Sequence, residues 1–207
     1  MSQAAAALFR RLQAADFYHQ LHADAVALLP AGQGKTWLDV GSGPGLLARL
    51  AAARGYCVTA TDADVSMLAA AQAHPQAAAV RGGYRQARLD DLLAQGSQAD
   101  VVSAASLLAV LPDRAQGLHD LLACVAPDGC LLLIETTPKM RWGAAWRWLW
   151  RDGKQGTGRG SAWLLLWAYL RRGRLIMDCA TPAGWQVACH PLLGGLVGAW
   201  IFRRLPG

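Results

Sequence analysis

Asp39 stands two residues ahead of the first of three alternating glycines, in the run Asp39-Val40-Gly41-Ser42-Gly43-Pro44-Gly45. Glycine admits left-handed turns and lets a ligand approach the backbone closely. The segment that follows, Leu46 to Arg54, reads as a helix that stops at Gly55. A helix N-terminus offers free N–H groups to a polar ligand. A second acid, Asp62, ends the strand-like run Tyr56-Cys57-Val58-Thr59-Ala60-Thr61. An acid at the end of a second strand is placed to hydrogen-bond both hydroxyls of a ribose. The chemistry these residues suit is the binding of a nucleoside-containing ligand. The dinucleotide fingerprint G-x-G-x-x-G does not fit, because its third glycine would fall at Leu46.

Such a site needs a strand to deliver each acid and a helix behind the glycine turn. Trp37 to Val40 reads as a short buried strand, and Asp64 is a suitable N-cap for a helix after the second strand. Strands alternating with helical stretches suggest a parallel sheet covered on both faces, and continuous apolar runs such as Leu131 to Ile134 agree. A chain of 207 residues, 54% of them hydrophobic, fits one domain with a large core.

The pattern D-x-G-x-G-x-G resembles motif I of the class I S-adenosylmethionine (SAM)-dependent methyltransferases. Further runs resemble that family in order. Arg88-Leu89-Asp90-Asp91-Leu92, Ala99 to Leu108 and Val125 to Glu135 look like its third, fourth and fifth strands. Gly184 to Val187 and Leu196 to Phe202 look like its closing antiparallel pair. The resemblance covers about residues 17–204, with a gap at an insert. It implies an α/β fold: a doubly wound, mostly parallel seven-stranded sheet with a closing antiparallel hairpin and helices on both faces. It also implies SAM as cofactor. The turn Gly41-Ser42-Gly43 and Gly45 would lie against its methionine part and ribose. Asp39 would hold the methionine ammonium, directly or through water, or else brace the turn as a capping carboxylate. Asp62 would bind the ribose. Ala63 offers a thin contact to adenine, which Met67 either supplements or leaves while serving as core. Leu89 and Asp90 would meet the adenine edge, although Arg88 stands where many relatives carry the acid. Ser103 and Ala104 would line the methyl-transfer cleft.

Methyl transfer to a protonated acceptor needs a base, and many relatives keep histidines after the fourth strand, where this chain has Ala109 and Val110. The remaining candidates are Tyr18, His19 and His22 in an N-terminal helix, and Glu135 after the fifth strand. His190 is a further one. His19 and His22 also read as two solvated neighbours on one helix face. Glu135 is the only glutamate, at a strand's C-terminal end, where ligand sites gather in open α/β sheets.

The formal charge of +6 is concentrated. Between Lys139 and Arg174 lie nine basic residues and one acid, so this insert of about residues 139–174 carries the whole excess. It also holds six of the nine tryptophans and reads as two helices, about 140–151 and 161–172, joined by a glycine-rich link. Three readings compete for it. Trp146, Trp150, Trp163 and Trp167 form apolar stripes that pack on the sheet while the arginines face water. Alternatively, Trp and Arg on a short amphipathic helix meet an anionic membrane surface. The third reading, nucleic acid, is weaker, because Ser103-Ala104-Ala105-Ser106 stands where the family's amino- and RNA-modifying members usually carry an Asn/Asp-Pro-Pro-Tyr/Phe motif. The five cysteines show no metal spacing, and Cys57, Cys124 and Cys130 read as core residues. With no secretory signal and no spanning segment, the expectation is a cytoplasmic protein, peripheral to the inner membrane face if the insert docks there. The functional expectation is methyl transfer to a small or lipidic, largely apolar acceptor. The alternatives are an RNA or other anionic-substrate methyltransferase, and a SAM-binding partner protein without turnover.

Overall fold

The computed structural model describes residues 15–151 and 181–205. Five strands run parallel: β1 (Thr36–Val40), β2 (Cys57–Asp62), β3 (Tyr84–Gln86), β4 (Ala99–Ala105) and β5 (Val125–Thr136). β6 (Trp185–Leu192) and β7 (Val197–Arg204) close the sheet as an antiparallel pair, giving the order β3-β2-β1-β4-β5-β7-β6. The direction of winding reverses between β1 and β4. In an open α/β sheet, the carboxyl ends of two such strands form a crevice.

Alternation along each strand divides the core into two layers. On one face Trp37, Val58, Leu132, Ile134 and Ile201 pack against α1 (Asp16–Ala27), α2 (Leu46–Ala53) and α6 (Trp142–Arg151). On the other, Leu38, Val40, Val102, Leu131 and Leu133 meet α4 (Leu89–Ala94) and α5 (Arg114–Ala123). Between β2 and β3 lies α3 (Val65–Gln72), capped as expected by Asp64, whose side chain accepts the Ser66 N–H at 2.8 Å.

Three expectations are corrected. Leu89-Asp90-Asp91-Leu92 is not the third strand but the body of α4, and the strand is Tyr84–Gln86. The Asp91 carboxylate accepts the Arg88 N–H at 2.8 Å, the reciprocal cap that starts a helix. Trp146 and Trp150 do not pack on the sheet. Ala145 and Leu149 are the buried residues of α6, and Trp142, Trp146 and Trp150 are 49–53% exposed. Cys57, expected in the core, is exposed at the start of β2. The glycine-rich link, the helix expected near 161–172 and Cys179 lie outside the described residues.

Candidate functional site

The site begins with the register of β1, which places Asp39 opposite Ala60 on one side and Ser103 on the other. Ser103 Oγ–H donates to Asp39 Oδ1 at 2.7 Å, and Trp37 Nε1–H donates to Ser103 Oγ at 2.7 Å. All three residues are buried. Beyond Val40 the chain turns through positive φ at Gly41 (69°), Gly43 (53°) and Gly45 (75°). A Cβ on Gly45 would come within 2.8 Å of the Tyr84 ring, and one on Gly41 within 2.9 Å of Leu107 Cδ1. Arg49, one turn into α2, reaches back and donates to the Pro44 carbonyl at 2.7 Å. The turn is thus held from the strand and from the helix.

Asp62 ties this turn to the next one. Its Oδ2 accepts the Gly43 N–H and its Oδ1 the Asp64 N–H, each at 2.8 Å. An ionised carboxylate has about four acceptor positions, so both oxygens keep capacity for further donors.

A cleft of about 510 Å³ opens over these residues. The glycine turn lines it through Gly41, Ser42 and Gly43, with Asp39 at its base and Asp62 at its side. Ala63, Met67, Leu89 and Asp90 form one flank, joined by Ala87 and Arg88. Tyr18 and His22 of α1 form another. The structure therefore brings together most of the residues singled out from the sequence. Gly45 stands behind the turn as the N-cap position of α2. Ser103 and Ala104 are fully buried beneath the cleft rather than lining it. His19 is exposed, His190 is half-buried on the edge strand β6, and both lie outside the cleft. Glu135 is buried, and its Oε1 accepts the Leu108 N–H at 3.1 Å, which braces the loop after β4.

That loop supplies the part of the cleft that sequence reasoning missed. Leu107, Val110, Leu111 and Pro112 form an apolar wall, entered through Ser106 at φ 57°. Gln116 and Asp120 of α5 add a polar rim. The available signal was an apolar run directly after a strand end and closed by Pro112, which is a wall beside the crevice rather than a helix.

Burial raises the Asp39 pKa to about 7, with the negative charge of Asp62 acting in the same direction. The Ser103 hydrogen bond, and more weakly the Ala48 amide, oppose the rise. Asp39 Oδ2 and Ser42 Oγ are buried with no hydrogen-bond partner in the protein. Two orphaned polar atoms beside a glycine turn suit a ligand that brings donors of its own. His22 is shifted the other way, to about 4, chiefly by burial. Its Nδ1 lies 2.8 Å from the Tyr18 carbonyl, which can only accept. Nδ1 therefore carries the proton of the neutral ring, and Nε2 is left as an acceptor.

Residues 38–129 match the model of the methyltransferase-domain family. The ubiquinone biosynthesis O-methyltransferase of Azotobacter vinelandii is 38% identical over 109 residues, which is 51% of this chain and 47% of that protein. Its counterpart in Pseudomonas paraeruginosa is 36% identical over the same shares. The chain thus spans about half the length of the curated relatives it matches. Two solved structures share the fold. The magnesium protoporphyrin IX methyltransferase of Synechocystis, with SAH bound, superposes with a TM-score of 0.62 at 16% identity, covering 96% of this chain and 93% of that one. The plantazolicin methyltransferase BpumL, in complex with a monoazolic desmethylPZN analog and SAH, gives 0.62 at 9% identity, covering 96% and 89%. The family-model match from β1 into β5, carried on this strand order, supports a class I SAM-dependent methyltransferase domain over the matched residues.

Proposed function

We propose that this protein binds SAM in the cleft above the glycine turn and transfers its methyl group to a small, largely apolar acceptor. The observation that carries the reading is Asp39 Oδ2, buried without a hydrogen-bond partner in a residue that lines the same cleft as the glycine turn and Asp62. Asp39 receives the methionine ammonium of the cofactor. Asp62 accepts from the ribose hydroxyls with the lone pairs that Gly43 and Asp64 leave free. Ala63, Met67, Leu89 and Asp90 surround the adenine. When bound, SAM supplies an electrophilic methyl for in-line attack, and the protein supplies proximity and orientation.

The apolar wall of Leu107, Val110 and Leu111 favours an apolar acceptor. The name of the O-methyltransferase relatives supports an oxygen atom as the methyl acceptor. His22 holds the acceptor hydroxyl on Nε2. With a pKa of about 4 it is a hydrogen-bond acceptor that orients the oxygen and is too weak a base to keep a full proton at neutral pH. Tyr18 packs against it, with ring centroids 4.3 Å apart and the planes tilted by 42°.

The exposed Trp142, Trp146 and Trp150, with Arg147 and Arg151 on the same helix, favour contact of α6 with an anionic membrane surface, where a lipidic acceptor would be met. Among the described residues no helix is long and apolar enough to cross a membrane.

The test is calorimetric titration with SAM, followed by incubation with SAM and a panel of prenylated phenols, water-soluble phenols and RNA, reading release of S-adenosylhomocysteine. The expected result is SAM binding and release with the apolar phenols. Release with RNA alone would replace the acceptor class. Binding without release from any acceptor class would leave a SAM-binding partner protein.

A further inference from the structure

A second cavity, of about 530 Å³, opens beside α6 and shares no lining residue with the SAM cleft. Four of its lining residues are cations: Lys139, Arg141, Arg147 and Arg151. Among the described residues no acid lines it. Ala144, Arg147, Trp148 and Arg151 stand at i, i+3, i+4 and i+7, so one face of the helix supplies two guanidinium groups and an indole. The small Ala144 leaves the space between them.

The opposite wall is the turn at Gly194-Gly195, both at positive φ. A Cβ on Gly194 would lie 3.0 Å from Trp148 Cδ1, and one on Gly195 would lie 3.5 Å from the Lys139 side chain. The indole is held on its other side by Phe17, with ring centroids 5.7 Å apart. The segment carrying Lys139 is fixed to the same turn, because Thr137 N–H donates to the Leu196 carbonyl at 3.0 Å and Thr137 Oγ1 accepts the Lys139 N–H at 3.2 Å. The cavity therefore has two braced walls.

Helix electrostatics account for only one of its four charges. Arg151 in the last turn of α6 complements the helix dipole. Lys139 and Arg141 precede the first turn, where a cation faces the positive end of the dipole and an acid would be favoured. Arg147 and Arg151 are like charges at i, i+4, which weakens a helix. An anion bound between the four would turn each of these costs into an attraction. Four cations exceed what one carboxylate can neutralise, and a phosphoryl group of charge about −2 with several acceptor oxygens, or a pyrophosphate with more of both, suits them better. The volume lies in the range of small-molecule sites.

We infer that this cavity is a phosphate-binding site, built by α6, the segment before it and the Gly194-Gly195 turn, for a phosphorylated small molecule or a phospholipid headgroup. It stands independently of methyl transfer and of membrane contact through the tryptophan row.

The test uses the full chain and two kinds of probe. Inorganic pyrophosphate is titrated by calorimetry and tryptophan fluorescence. Vesicles of phosphatidylcholine, with and without phosphatidic acid, are assayed by co-sedimentation. The variants are Lys139→Gln with Arg147→Gln, which removes charge, and Ala144→Leu, which fills the cavity and leaves the charge. Arg114→Gln on α5 is the control for the overall field. Saturable pyrophosphate binding that falls at least tenfold in both cavity variants, and stays unchanged in Arg114→Gln, supports the site. SAM affinity should be the same in all four proteins. Parallel loss of phosphatidic acid binding assigns the site to a headgroup, and binding of pyrophosphate alone assigns it to a soluble phosphate. Absence of saturable binding to either probe overturns the inference. So does vesicle or pyrophosphate binding that Ala144→Leu leaves intact, because the net charge and the tryptophans then suffice without a cavity.

Discussion

Ser103 on β4 donates its hydroxyl hydrogen to Asp39 on β1 across the point where the sheet reverses its winding, at 2.7 Å. That bond satisfies one carboxylate oxygen and leaves the other buried and open to the cleft. The contrast separates what the fold needs from what the ligand needs. A buried polar group without a partner costs about 1–3 kcal/mol, and here the cost is kept at the base of a binding cleft.

Asp39→Asn is therefore expected to stabilise the free protein and to weaken SAM binding. The amide oxygen still accepts from Ser103, while the buried negative charge is gone. The gain at pH 8 should be on the order of 1–3 kcal/mol, read by chemical denaturation. The loss of a charged hydrogen bond should weaken SAM binding roughly ten- to a hundredfold, read by calorimetry. A variant that loses stability, or binds SAM as the wild type does, would contradict this role.

The same carboxyl sets a pH dependence. Its folded pKa of about 7 lies above the ordinary value of 3.8, so between these limits the folded state binds the extra proton. Its contribution to stability is fully present below about 3.8 and is lost as pH rises towards 7. In the proposed site SAM brings a cation to this carboxyl and would need its ionised form. Its affinity should rise from pH 6 to 8, and calorimetry in buffers of different ionisation enthalpy should detect proton release near pH 6.5. Asp39→Asn should abolish both effects.

Asp62→Ala should affect both fold and binding, since the side chain also holds the Gly43 and Asp64 amides. The expected loss is about 1–3 kcal/mol of stability together with at least tenfold in SAM affinity. Gly45→Ala separates backbone strain from crowding. It meets positive φ and the Tyr84 ring, whereas Gly34→Ala meets a similar φ of 83° with nothing nearby. Gly34→Ala should cost about 1–2 kcal/mol and leave SAM binding intact. Gly45→Ala should cost more and weaken SAM binding, which thermal denaturation and calorimetry can compare directly.

The glycine turn was legible in the sequence because its signals are local. Alternating glycines report positive φ, and Asp39 and Asp62 end their strands as the motif requires. The misread segment, Leu89 to Leu92, carries two apolar residues around two acids, a pattern too short to separate a strand from a helix. The deciding feature was capping chemistry at Arg88 and Asp91, not periodicity. In α6 two apolar stripes share one helix, and spacing alone does not tell which faces the core. The smaller Ala145 and Leu149 are the ones that fit beneath it. Glu135 reads from the sequence as a candidate base in the cleft, whereas it lies within β5 outside the cleft lining and its carboxylate accepts the Leu108 amide, a partner that only the folded loop creates.

Glu135 and His22 give the final pair of predictions, because one braces the apolar wall of the cleft and the other is the residue proposed to meet the acceptor. Glu135→Ala removes the acceptor for Leu108 N–H and loosens the loop carrying Leu107 and Val110. It should raise the KM for an apolar acceptor several-fold with SAM affinity unchanged, and Glu135→Gln, which keeps an acceptor oxygen, should restore most of it. His22→Asn can keep the hydrogen bond to the Tyr18 carbonyl through its amide while removing Nε2. It should lower kcat about ten- to a hundredfold, below the usual range for a full general base, because the imidazole of pKa about 4 orients the hydroxyl more than it takes the proton. For the same reason the wild-type kcat should show no inflection from His22 between pH 6 and 8. The stability that neutral His22 contributes is present above the ordinary pKa of 6.5 and is lost as pH falls through 6.5 towards 4. An inflection near pH 6.5 that disappears in His22→Asn would mean that the ring titrates in the cleft and serves as the base.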